Sequence, residues 1–313
     1  MGELVGLPTE TVYGLGADAA SDSAVAKIFA AKGRPAEHPL IVHVADAAGV
    51  AHFASEVPDF AQKLMQVFWP GPLTLILPRR PDVGAAAAGG QATIGLRCPA
   101  HPVAHALLLA CRKLGVQGVA APSANKFGRV SPTAAGHVQG EFGDSLLILD
   151  GGACEVGIES TIIDCTRGAP VLLRPGAITR EQVQAACGLR LLSREELEAP
   201  APRASGTLES HYAPHAKVRL MDAKALQTAL DLLGKDIDAG KARIAVYARA
   251  ILRTPAAKVL YRRMPDDAGA AAQQLFAVLR DFDAQGVKLI WVETPPETPE
   301  WEGVRDRLIR AAA

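Results

Sequence analysis

The chain has 313 residues in which 33 Lys and Arg balance 33 Asp and Glu. At about 150 residues per domain it is too long for one ordinary core, and its zero net charge weakens any broad electrostatic grip on nucleic acid while leaving room for a local basic patch. No stretch approaches the roughly 20 apolar residues of a membrane span, and residues 1–30 lack a basic segment followed by an apolar one, so a cytoplasmic protein of two domains is expected.

The first apolar run, Leu4 to Leu7, reads as a buried strand, and Pro8 ends it. Thr9, Glu10 and Thr11 then supply two hydroxyls and a carboxylate, while Gly14 and Gly16 permit a tight return in which backbone amides approach a ligand. Ligands of open α/β sheets collect beyond the carboxyl ends of strands, so this loop is a candidate site floor. A polar turn without a ligand is the competing reading, because GxG without a following GxxG or GKS is a weak phosphate signal. Ser21 caps a helix that buries Val25, Ile28 and Phe29 and closes at Lys32-Gly33. Strands follow at Leu40–Val44, Leu73–Leu77, Thr93–Arg97, Val119–Ala121, Leu146–Asp150, Thr161–Asp164 and Val171–Arg174. Helices fall at Ala47–Phe53, Phe60–Phe68 and Pro102–Leu114. So many strands among so few helices point to a mixed α/β sheet. Gly84–Gly90, built only of Gly and Ala, reads as a mobile loop.

Composition changes at about residue 191. Residues 191–216, rich in Pro, Ala, Ser and charge, read as a linker between a domain at 1–190 and a second at 217–313. Beyond it, strands at Val218–Met221, Ile244–Ala248, Val259–Tyr261 and Leu289–Val292 and helices at Ala225–Leu233, Asp267–Phe282 and Glu302–Ala311 describe a small doubly wound α/β domain. Five scattered cysteines, Cys98, Cys111, Cys154, Cys165 and Cys187, form no CxxC pair. They read as reduced thiols, with no zinc set among them.

Chemistry gathers in the first domain. Lys32-Gly33-Arg34-Pro35 sets two cations beside a rigid proline, which suits a triphosphate or carboxylate, although cations also simply favour a helix C-terminus. His38 lies in the next loop, and His43 lies inside a strand, where a satisfied core histidine is the alternative. Arg97 ends an apolar strand, where an unpaired charge is costly, so it requires a local carboxylate or an anionic ligand. Ser123 with Asn125, Glu159 to Thr161, and Arg174 end further strands with polar groups. Their accumulation argues for one shared cavity.

Seven motifs between Pro8 and Gly176, namely PTETVYGLG, KGRP, WPGPLTL, IGLRCP, PSAN, ESTIID and LRPG, occur in the order and approximate spacing of the threonylcarbamoyl-adenylate synthase family. The chain resembles the two-domain form of that family: a YrdC-like mixed-sheet domain, a linker carrying His211-Tyr212-Ala213-Pro214, and a small Rossmann-like domain. In the family a helix and an approach segment precede the PTETVYG loop, whereas Leu7 here lies six residues after Met1, so a weakened first strand is expected. The resemblance implies that L-threonine, bicarbonate and ATP, with magnesium on the phosphates, give threonylcarbamoyl-adenylate and diphosphate. That reaction begins threonylcarbamoyl modification at position 37 of ANN-decoding tRNAs, with downstream transfer proteins as partners. By motif, Thr11, His43, Arg97 and Thr161 hold threonine, with Arg97 on its carboxylate. Arg34, His38, Thr93, Ser123, Ser131 and Arg174 contact ATP, and Asn125 braces the Ser123 loop. Lys32 and Arg34 are the catalytic pair, Lys32 neutralising phosphate or carbamate charge. Tyr212 is expected as an exposed ring turned toward the nucleotide, on a lid hinged at Gly206. A non-catalytic double-stranded RNA or tRNA-binding module is the competing class, disfavoured by the neutral charge and by the absence of interleaved basic and aromatic residues. Carbamoyl transfer of the hydrogenase-maturation kind requires zinc-finger and acylphosphatase segments, which do not occur in the sequence.

Overall fold

Short apolar runs punctuated by Gly, Pro and Asn build a mixed sheet from the first two thirds of the chain. The structure is a computed structural model that describes residues 2–197, 200–207, 211–240, 243–250 and 258–313. It divides into two units, Met1–Phe127 with Ser131–Thr207, and Gly128–Val130 with Leu208–Ala313. The division falls inside the segment read as the linker, of which residues 198–199 and 208–210 lie outside the described residues.

The first unit runs β1 (Val5–Leu7), β2 (Gly14–Asp18), α1 (Asp22–Lys32), β3 (Ile41–His43), α2 (Val50–Phe53), α3 (Asp59–Phe68), β4 (Leu73–Pro78), β5 (Thr93–Arg97), α4 (Pro102–Lys113), β6 (Val119–Ala120), α5 (Ala135–Phe142), β7 (Leu147–Ile148), β8 (Thr161–Asp164), β9 (Val171–Arg174), α6 (Arg180–Cys187) and β10 (Leu192–Ser193). Ten strands pair in the order β10-β9-β8-β4-β5-β3-β6-β2-β1-β7. Parallel pairs (β3 with β5, β4 with β8) alternate with antiparallel ones (β4 with β5, β3 with β6, β8 with β9), giving the expected mixed sheet.

Alternation along the strands then sorts the residues by face. Val42, Leu75 and Leu96 enter the core with Val25 and Ile28 of α1 and Leu64 of α3. Ile41, His43, Thr74, Ile76, Thr93, Gly95 and Arg97 alternate with them and so share the opposite face. Across that face His43 pairs with Arg97, Ile76 pairs with Gly95, Thr74 pairs with Ile162, and Ile162 pairs with Arg174.

Local signals explain the helices: Ser21 accepts from the Ala24 amide to start α1, Pro102 opens α4, and Thr179 with Gln182 forms a capping box on α6. Helices α5 and α6 were not anticipated, since Gly136 and Gly140 lower the helical propensity of α5 and α6 begins directly after the strand series. The tight return expected at Gly14 and Gly16 is instead strand β2, antiparallel to β1. Glycine is needed there for space: a Cβ on Gly16 would lie 2.7 Å from Leu7 Cδ2 and 2.9 Å from Val119 Cγ1. Strand β1 forms, with Leu7 fully buried. The Gly84–Gly90 segment is pinned, its Ala87 and Ala88 buried and the Ala87 carbonyl accepting from the Leu40 amide at 2.7 Å. Part of the presumed linker is also structured, because β10 pairs in parallel with β9.

The second unit contains β11 (Lys217–Met221), α7 (Ala223–Asp238), β12 (Ile244–Ala248), β13 (Leu260–Arg263), α8 (Ala268–Ala284), β14 (Leu289–Glu293) and α9 (Glu302–Ala312). Its four strands among the described residues are all parallel, in the order β11-β14-β12-β13. Ile244, Val246 and Ala248 pack with Leu226, Leu230 and Ile237 of α7, and Ala245 and Tyr247 are buried on the other face.

Gly16→Ala should lower the unfolding free energy by about 1–3 kcal/mol through overpacking between β1 and β6, read as a lower urea midpoint at unchanged slope.

Candidate active site

Three knots of polar side chains form on the first unit. The first is Arg97, 4% exposed at the end of β5. Its Nε donates to Gly71 O at 3.3 Å, Nη1 donates to Thr11 Oγ1 at 2.8 Å, and Nη2 donates to the carboxylate of Glu10. Of the two partners that a buried arginine admits, the described residues supply the local carboxylate. Three of the five guanidinium N–H donors are so engaged, leaving one on each terminal nitrogen within the described residues. Thr9 holds Thr11 through a 2.9 Å hydroxyl contact, and Thr9 Oγ1 donates to Val12 O at 2.6 Å, so the loop after β1 is self-braced. His43 stands beside Arg97, buried, and burial together with the Arg97 charge pushes its imidazole down to about 3. It is neutral, and its Nδ1 meets no partner among the described residues. Thr161 opens β8; its hydroxyl donates to Ile178 O at 3.0 Å and accepts from the Ile178 amide at 3.2 Å.

The second knot joins Arg34 and Arg174 through Ser205. Arg34 Nη2 donates to Ser205 Oγ at 3.3 Å and to Pro39 O at 2.9 Å, while Arg174 Nη1 donates to Ser205 O at 2.8 Å and its Nη2 to Ser160 O at 2.9 Å. The Phe127 ring lies 5.6 Å from the Arg34 guanidinium and edge-on to His38 at 5.4 Å. Burial and the Arg34 charge lower the His38 pKa. Thr93 lines a narrow cleft with Ile41, Ile76, Gly95, Ile162 and Ser205, and Gln91 secures the neighbouring Arg203 by two backbone contacts, at 2.9 and 3.2 Å. Sequence reasoning missed Ser205 and Phe127, since a small linker residue and a lone phenylalanine give no pattern.

The third knot is Lys32, 3% exposed, whose Nζ donates to the carbonyls of Ser123 and Asn125. Burial, then Arg34, lowers its pKa well below the usual lysine range. Lys32 therefore clamps the loop that carries Ser123. Ser131, fully buried, donates to the carboxylate of Glu159. Among the described residues no three His, Cys, Asp or Glu gather into a metal set.

Tyr212 belongs to the second unit and requires a correction. Its ring is 1% exposed, packed 5.4 Å from Phe276 and beneath the Arg307 guanidinium at 5.3 Å, where an exposed ring on a tether was expected. It also adopts φ +63°, a left-handed conformation that a non-glycine residue holds only when its surroundings fix it. An apolar cavity of about 690 Å³ beside Trp69, Met65 and Cys98 contains none of the expected site residues.

Comparison with known proteins matches the chain in two parts, which meet about thirty residues before the structural division. Residues 1–176 match a family model described as telomere recombination, and residues 178–313 match one described as the threonylcarbamoyl-AMP synthase C-terminal domain. The chain is 39% identical over 320 residues to threonylcarbamoyl-AMP synthase of Pyrococcus abyssi, covering 99% of this chain and 91% of the relative. It is 38% identical to that of Bacillus subtilis, with 99% and 89% covered. The crystal structure of Pyrococcus abyssi Sua5 complexed with L-threonine superposes with a TM-score of 0.86 at 37% identity, covering 99% of this chain and 91% of that one.

The depressed His43 pKa has a stability consequence with a definite sign. The folded state refuses a proton that the unfolded chain binds near pH 6.5, so stability present above that pH is lost as pH falls toward 3. Relative to His43→Asn, the wild-type unfolding free energy should fall by about 1.4 kcal/mol per pH unit between pH 6 and pH 4, measured by urea titration.

Proposed function

The chain belongs to the threonylcarbamoyl-AMP synthase family, and on that premise we propose how its residues carry the reaction. It is a nucleotidyltransferase that takes L-threonine, bicarbonate and ATP to L-threonylcarbamoyl-adenylate and diphosphate. The threonine ammonium and bicarbonate combine to a carbamate with loss of water and one proton. A carbamate oxygen then attacks the α-phosphorus as diphosphate leaves. No covalent nucleophile is required, so the work is positioning and charge neutralisation.

The observation that carries the reading is the buried Arg97 with a donor left on each terminal nitrogen, a fork that matches a carboxylate. In the proposed assignment it takes the threonine carboxylate, with Thr11, His43 and Thr161 around the amine and side chain. A neutral His43 suits this place, because a second cation would compete for the carboxylate and repel the ammonium. Arg34 and Arg174, which share Ser205, are assigned to the triphosphate, with His38, Thr93, Ser123 and Ser131 along the rest of ATP. Lys32 assists chiefly by holding the Ser123 and Asn125 loop. Magnesium is assigned to the phosphates of ATP, whose charge it would offset.

No helix among the described residues is long and apolar enough to cross a membrane. We place the reaction in the cytoplasm, where its product, a mixed anhydride, must be collected by a transfer protein acting on tRNA. The RNA-binding alternative is not favoured, because an RNA cradle has no use for a buried guanidinium beside a neutral imidazole.

Diphosphate release should require threonine, bicarbonate and ATP together; release from ATP and threonine in carbonate-free buffer would point to an ordinary aminoacyl adenylate. Arg97→Ala should raise the threonine KM roughly 30-fold or more, the equivalent of about 2–5 kcal/mol, with far less effect on the ATP KM. Equal effects on both substrates would make Arg97 structural.

A further inference from the structure

Arg97 is gripped from one side by two consecutive residues of the loop after β1. Thr11 Oγ1 takes Nη1 at 2.8 Å, and the Glu10 carboxylate takes Nη2. Glu10 is itself fixed at three points and is only 5% exposed: Oε1 on Arg97, Oε2 accepting the Ala100 amide at 3.1 Å, and its carbonyl accepting the Val156 amide at 2.7 Å. One hydroxyl leaves a guanidinium free to swing about Nη1. Two anchors on different terminal nitrogens, with Nε held by Gly71, fix its plane. Glu10 also balances the Arg97 charge in a site where the neighbouring imidazole is neutral, which keeps a buried cation from standing uncompensated.

We propose that Glu10 is the positioning residue for amino-acid recognition: it fixes the plane of the Arg97 guanidinium so that the two remaining donors meet the α-carboxylate of threonine. This deepens the proposed function and rests on that reading of Arg97. Glu10 acts through Arg97, its other hydrogen-bond partners among the described residues being the Ala100 and Val156 amides.

The test is steady-state kinetics of Glu10→Ala and Glu10→Gln with each substrate varied, with and without added formate, a small carboxylate that fits the space left by the alanine. Glu10→Ala should raise the threonine KM about tenfold or more and leave the ATP KM within about twofold, as expected for loss of a charge-assisted contact on one substrate's side only. Formate should lower the threonine KM of Glu10→Ala again, and formamide should not. A threonine KM within about twofold of the parent enzyme, a parallel rise in both KM values, or no response to formate would overturn the proposal. If Glu10→Ala does not fold, shown by a lost melting transition, Glu10→Gln and Glu10→Asp decide: a selective rise in threonine KM supports the proposal, and an equal or absent effect overturns it. Arg97→Ala separates the two levels. If it is unselective the reading of the threonine pocket fails, whereas a selective Arg97→Ala with an unselective Glu10→Ala sinks this inference alone.

Discussion

A guanidinium buried at a strand end imposes the strictest condition on the first unit, because a charge with so little solvent must be paired and fully directed. Arg97 meets it by drawing in three chain segments: the loop after β1 through Glu10 and Thr11, the turn before β4 through Gly71, and the chain after β5 through the Glu10 contact to Ala100. The same loop is anchored again by the bond from the Val156 amide to the Glu10 carbonyl. A region that the sequence scatters over about a hundred and fifty positions is thereby organised around one cation.

The sheet supplies the second condition. Register places His43 beside Arg97, and Arg174 beside Ile162, on a face where Gly95 keeps the floor low. A Cβ at Gly95 would come 3.2 Å from Ile76 Cδ1. The other face of the same strands is closed by core packing. A one-residue slip of β5 would send Arg97 into the core.

Three buried basic side chains of the first unit share one solution, donation to the oxygens of a loop. Lys32 caps the carbonyls of the Ser123 loop, and Arg34 and Arg174 converge on Ser205. In the proposed reaction the two arginines both hold a loop and present positive charge to anionic oxygens, whereas burial disfavours the charged form of Lys32, whose part is to hold the loop.

Most of the strand and helix series, α5, α6 and β10 apart, could be read from the sequence, because alternation and capping are local: the runs ending at Arg97, Asp164 and Arg174 and the helix capped by Ser21 lie where periodicity places them. By motif, Thr11, His43, Arg97 and Thr161 were expected on threonine and Arg174 on ATP. Partner choice was not legible. That Glu10 answers Arg97, that Ser205 joins two arginines, and that Tyr212 lies buried under Arg307 depend on which distant segments meet in space. Nor did a local rule distinguish Gly16 as a strand residue from a turn residue, since the need for glycine there comes from Leu7 and Val119 across the sheet. Sequence alone determined which residue types stood at strand ends, a matter of neighbours in the chain; tertiary structure decided which of them are paired, because pairing is settled by register and burial across strands far apart in sequence.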